Sequence, residues 1–131
     1  MSMKSIEDLE RAFDRGITAW EGEILSESAE KMGDKCVREI KRNTKVVSGN
    51  LRRRWRSHAE TGKNDIKIHL ENDADYASYV NDGHRILRGG ETAGYFEGYH
   101  MLEKGVAAYK DHYLKDDLQA MVDKLGEAMK G

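Results

Sequence analysis

Proline is absent from all 131 residues, where average usage of about 5% would supply roughly six or seven. Chain reversals must therefore rest on Gly, Asn and Asp. The single cysteine, Cys36, excludes an intrachain disulfide and a thiolate zinc site, and fits a reducing compartment. No apolar run approaches the ~18 residues that would mark a membrane span, and the opening MSMKSIEDLERAF lacks the apolar stretch of a secretion signal. Neither export nor membrane contact is expected. Charge of one sign is missing too: 22 basic against 24 acidic residues leave a balance of −2, which gives no whole-molecule attraction to nucleic acid or anionic lipid.

What charge there is lies unevenly. Residues 1–37 carry 5 basic and 9 acidic groups (−4), 38–63 carry 9 and 2 (+7), and 64–131 carry 8 and 13 (−5). Hydrophobic residues make up 38% and charged residues 35% of the chain, so a thin core under a heavily charged surface is expected.

Ser5 reads as an N-cap with Glu7 and Asp8 in the first turn, and Ile6, Leu9 and Phe13 follow at helical spacing. After Gly16, Ile17, Trp20, Ile24, Met32, Cys36 or Val37, and Ile40 continue the period as an amphipathic helix of about 25 residues. Val46 to Asn50 carries a turn signal. LRRRWRSHAE then reads as an extended strand, with Trp55, Ser57 and Ala59 on one side and Arg52, Arg54 and Arg56 on the other. Thr61 to Asn64 signals a hairpin turn, and Ile66, Ile68 and Leu70 alternate with polar residues in the clearest strand of the chain. Tyr76 to Val80 fits either a third strand or a helical turn. Six glycines at 83–105 predict an irregular loop flanked by short extended pieces such as Tyr95 to Tyr99. From Met101 the helical period returns through Leu102, Val106, Tyr109, Tyr113 or Leu114, Leu118, Met121 or Val122, Leu125 and Met129.

The expected class is α+β: an antiparallel curved sheet of three to four strands packed against a long N-terminal helix and a long C-terminal helix. One domain should cover 1–131, with helices at about 5–43, strands and glycine-rich loop at about 46–100, and the last helix at about 101–129.

Chemistry-bearing patterns are few. The histidines, at 58, 69, 84, 100 and 112, form no HxxxH or HExxH pair, and Asp73, Asp75, Asp82 and His84 match no EF-hand or zinc spacing. Gly89, Gly90, Gly94 and Gly98 fit neither GxGxxG nor a P-loop, and no GxSxG elbow exists. Cys36 sits in an apolar stripe, where a small buried thiol is common. No catalytic residue, metal or cofactor is therefore expected. Four arginines around Trp55 at 52–56 could neutralise phosphates and stack on a base, cover a solvated face, or form a protein interface. Tyr76, Tyr79, Tyr95, Phe96 and Tyr99 surround the glycine-rich segment, and tyrosine-rich loops suit partner contacts. Arg52, Arg54, Arg56, Arg85, Arg88, Tyr95, Phe96 and Tyr99 are the candidate interface.

Taken together, TKVVSGNLRRRW, ADYASYVNDGHR and GYHMLEKGV resemble the HK97 gp10-like family of tailed-phage morphogenesis proteins. Gly49, Asn50, Leu51 and Arg52 match its first segment, Tyr76, Ala77, Tyr79, Val80, Gly83 and His84 its second, and Met101-Leu102 its third. Lys45 stands where proline is usual, Val47 where aspartate is usual, and Ser48 replaces threonine. The resemblance implies a non-enzymatic neck or tail-completion protein at the head–tail junction of a siphophage or prophage. Its partners would be itself, as a ring homo-oligomer, and other connector and tail proteins. It would assemble in the host bacterial cytoplasm and end in the virion, meeting nucleic acid only as DNA passing through the channel. The alternative is a small nucleic-acid-binding or nuclease-like protein using Arg52–Arg56.

Overall fold

The computed structural model describes residues 3–44 and 49–130, with backbone alone at Tyr79, 84–88, 92–94, 96 and 130. Helix α1 (Ile6–Arg15) opens on a capping box in which Ser5 Oγ accepts from the Asp8 amide (3.3 Å) and the Asp8 carboxylate accepts from the Ser5 amide (3.1 Å). Helix α2 (Ala19–Arg42) repeats the device with Thr18 and Glu21. Between them the Ile17 amide donates to the carbonyl of Lys63 (2.5 Å), which ties the α1–α2 junction to a hairpin turn.

That hairpin pairs β1 (Trp55–Thr61) with β2 (Ile66–Asn72), in register from Trp55↔Asn72 to Thr61↔Ile66. Alternation puts Trp55, Ser57 and Ala59, with Ile66, Ile68 and Leu70, on the face toward α2, while His58, Glu60, Lys67, His69 and Glu71 stay exposed. Gly33 lets α2 approach the sheet: a Cβ there would lie 2.7 Å from Ser57 Oγ and 3.2 Å from Ile68 Cγ2. The other side of α2 takes the C-terminal helices α5 (Met101–Tyr109) and α6 (Lys115–Lys130), joined by a π-helical segment, Lys110–Leu114. Across that segment the Tyr109 hydroxyl and Lys35 Nζ both reach Asp117, at 2.8 and 2.7 Å. Leu25, Ile40, Met101, Met121, Val122 and Leu125 are the largest fully buried side chains, so the core lies chiefly between α2 and the C-terminal helices.

Three sequence expectations need correction. The strands do not join into one sheet: β3 (His84–Arg88) and β4 (Glu91–Phe96) form a second, separate antiparallel pair. Helix α4 (Ala77–Asp82) takes the stretch where a linking strand was one option. The glycine-rich segment is that second hairpin rather than an irregular loop. Gly89 and Gly90, both at positive φ, form its turn, while Gly83 and Gly98 flank it, leaving strand-forming residues between. Finally, Arg52 lies on no strand. Gly49 (φ +80) starts a helical turn, α3 (Asn50–Arg53), closed by the Arg53 amide donating to the Gly49 carbonyl, and the strand begins only at Trp55. The turn buries Leu51, which gains more than extending a run of arginines would. Lys45 to Ser48, which hold the departures from the family pattern, lie outside the described residues.

Candidate interaction surfaces

Trp55 is the inward anchor of the basic segment. It is 6% exposed, and its indole donates to Thr44 Oγ1 (2.9 Å), while the Thr44 hydroxyl donates to the Ile40 carbonyl (2.7 Å) at the end of α2. It is thus unavailable for stacking on a base. The arginines divide. Arg54 Nη1 meets Asp73 at 3.2 Å, and Arg56 meets Glu71 at 3.2 Å and Asp73 at 3.5 Å. The Arg54 guanidinium chiefly holds the Asp73 carboxyl below its usual range. Arg52 and Arg53 are exposed on α3 and form no ion pair among the described residues.

The motif residues around this corner fasten elements together. Asn50 Nδ2 donates to the Tyr76 hydroxyl (3.1 Å), and Asn50 Oδ1 accepts from Arg54 Nε (3.0 Å). Asn72 Nδ2 donates to the Leu51 carbonyl (2.7 Å), and its Oδ1 accepts the Ala74 amide (2.9 Å) in an Asx turn. Asn81 does more. Its Oδ1 accepts the Leu102 amide (2.9 Å) in the first turn of α5, and Nδ2 donates to Glu103 (3.1 Å) and to Asp82 (2.9 Å). The α5 N-cap position is His100, at φ 51, ψ 43, with no side-chain cap of its own. Asn81 caps the helix from another segment. Sequence reading missed it; the signal was the absence of Ser, Thr, Asp or Asn just before Met101.

The aromatic candidates separate as well. Tyr95 on β4 is 74% exposed. Tyr99 is half-buried and packs against the core, its amide donating to the Val80 carbonyl (2.9 Å). Arg85 lies opposite Tyr95 in the β3–β4 register, Arg88 opposite Glu91, and Phe96 opposite His84; the side chains of Arg85, Arg88 and Phe96 fall outside the description. Strands β3 and β4 pair with each other through their backbones.

Other ionisable groups are structural in placement. Glu21, 2% exposed, is forked by Arg15 at 2.6 and 3.1 Å, and this bond chiefly lowers its carboxyl below the usual range. Burial raises the Cys36 thiol, so no thiolate is stabilised there. Among the described residues no three His, Cys, Asp or Glu stand where they could hold a metal ion, and no helix is long and apolar enough to cross a membrane.

These features define a small α+β protein whose most distinctive side chains join one element to the next. The chain belongs to the family described as "Bacteriophage HK97-gp10, putative tail-component", which matches residues 7–83, more than half its length. The match runs from α1 through α4 and includes Asn50, Asn72 and Asn81, and it ends before the β3–β4 hairpin and the C-terminal helices. No curated protein and no solved structure matches the chain.

Proposed function

We propose that this protein is a non-enzymatic structural component of the phage head–tail junction, a neck or tail-completion subunit. It works as a ring homo-oligomer between other connector and tail proteins, assembled in the host cytoplasm and retained in the virion. The observation that carries this reading is the family match over residues 7–83. Two features support it. Positive charge is confined to 38–63 between two acidic stretches, which suits contacts between unlike faces of successive copies. The β3–β4 hairpin also presents an exposed aromatic, Tyr95, that has little to do in a lone subunit. DNA enters this reading only as the duplex threading the assembled channel.

The test is to interrupt the gene in the phage that encodes it and image the lysate. Filled heads and finished tails that fail to join, restored by the intact gene supplied in trans, are expected. Joined, infectious particles from the interrupted phage would overturn the reading.

A further inference from the structure

An apolar groove of about 360 Å³ opens between α1, the start of β2, α2 and α6. Leu9, Phe13, Met32, Ile66, Leu118 and Met121 supply its apolar lining, and the exposed carboxylates of Glu10, Asp14 and Asp65 edge it. Two acids nearby are paired, Asp8 with Arg11 and Glu21 with Arg15. Glu10, Asp14 and Asp65 pair with no cation among the described residues. Glu10 and Asp14 stand one helical turn apart, a like-charge arrangement that an isolated helix pays for in stability. A cation supplied from outside would relieve it.

The matching feature lies at the far end of the same sheet. Groove and turn meet where Asn64 Nδ2 donates to the Phe13 carbonyl (2.6 Å). Helix α3, carrying Arg52 and Arg53, which form no ion pair among the described residues, precedes β1 at its opposite end, a strand length of roughly 20 Å away. Arginine suits such a groove, because its aliphatic stem lies against apolar surface while the guanidinium forks to carboxylates at the edge. We propose that the acid-edged groove of one copy receives the Arg52–Arg53 corner of a second copy. Each subunit then gives its corner to one neighbour and its groove to the other, a head-to-tail contact that can close into a ring. The proposal rests on the oligomeric reading above and names the two surfaces that build it.

The experiment compares the full chain with R52E/R53E and with E10R/D14R by sedimentation velocity at low and moderate salt, with thermal melting as the control for folding. Each variant alone should need at least about tenfold more protein to assemble than the unaltered chain, because like charges face each other. An equimolar mixture should recover assembly, since each variant's intact surface meets a partner of opposite sign. Variants that assemble as well as the unaltered chain, or a mixture of well-folded variants that stays dissociated, would overturn the assignment of surfaces and leave the ring standing. Assembly that stops at a dimer would overturn the head-to-tail arrangement. An unaltered chain that remains monomeric would bring down the oligomeric reading as well. Duplex DNA binding that is lost in R52E/R53E, with self-association unchanged, would reassign the corner to nucleic acid and also overturn the proposal.

Discussion

Asn81 holds the start of α5 from a distance, so its removal should be felt across the C-terminal half. Asn81 is 6% exposed. Truncation in Asn81→Ala leaves the Leu102 amide without its acceptor, a lost cap worth about 1 kcal/mol. The bonds to Glu103 add roughly 1 kcal/mol, below the usual contribution of a charged acceptor because that carboxylate is half exposed. The expected loss is about 2 kcal/mol. With an unfolding entropy of about 2.1 cal/mol/K per residue, a chain of this length should melt roughly 7 °C lower. Asn81→Asp separates the two contributions. It keeps the acceptor for Leu102 but sets a carboxylate beside Asp82 and Glu103, which raises its own folded pKa. Its deficit should be largest near neutral pH and shrink as the pH falls through that raised value, whereas the Ala deficit should persist. Thermal unfolding followed by circular dichroism at 222 nm, from pH 7 down to pH 4, reads both. An Ala variant within about 0.5 kcal/mol of the parent would refute capping by Asn81.

Gly105→Ala should destabilise by roughly 1–3 kcal/mol despite alanine's better helix propensity, because its Cβ would run into the backbone Cα and N of Ile40. Gly22→Ala, whose Cβ meets nothing nearer than Ile17 Cγ2 at 3.8 Å, should be neutral or stabilising in the same melt; equal effects would dismiss the close crossing. Trp55→Ala should cost about 3–5 kcal/mol in urea titration, and Trp55→Phe only about 1 kcal/mol for the lost bond to Thr44; a silent Ala variant would show the anchor to be dispensable. Asp8, held at about 2 chiefly by the Lys4 amide and then Arg11, and Glu21, lowered chiefly by Arg15, have depressed folded pKa values. Their stabilisation is complete above the unfolded carboxylate range and is lost as pH falls from about 5 toward 2. Glu21→Gln should flatten that slope, and an unchanged slope would remove Glu21 from the account.

Local signals in the chain were enough for α1, α2, β1 and β2. The Ser5 cap marks a helix start, and the 3.6-residue stripe ending at Ile40 and the alternation of Ile66, Ile68 and Leu70 mark buried faces, although Trp20, counted in that stripe, is 47% exposed. The inward Trp55 was legible for the same reason. The fate of Arg52 was not, because a single helical turn at Asn50–Arg53 is set by Gly49 and by the burial of Leu51 rather than by periodicity. Glycine content at 83–105 misled for a different reason. Composition registers how many glycines a segment holds, whereas a hairpin needs them only at the turn, here Gly89 and Gly90. Of the candidate interface, Tyr95 kept the exposure expected of it, while Arg54 and Arg56 met Asp73 and Glu71, pairings that depend on cross-strand register. Asn81 and the acid-edged groove join residues distant in sequence, and the one local trace of either is the missing cap residue before Met101.

The π segment at Lys110–Leu114 accommodates a one-residue insertion in the C-terminal helix. Helix α5 buries Met101, Gly105 and Tyr109. Carried on from Tyr109 at 3.6 residues per turn, the inward positions would fall at Ala120 and Asp123, yet Met121, Val122 and Leu125 are the buried ones. The extra residue in the wide turn rotates everything after it by about 100° and returns the apolar stripe to α2. The paired alternatives in the sequence, Tyr113 or Leu114 and Met121 or Val122, are the trace of that phase slip. Closing the wide turn into α geometry with all its residues kept would swing Asp123 toward the core, whereas deleting one residue from 110–114 would give a regular backbone ladder and leave the downstream phase as it is. The extra residue and the wide turn are therefore coupled: either can be lost only together with the other if the apolar stripe is to stay on α2.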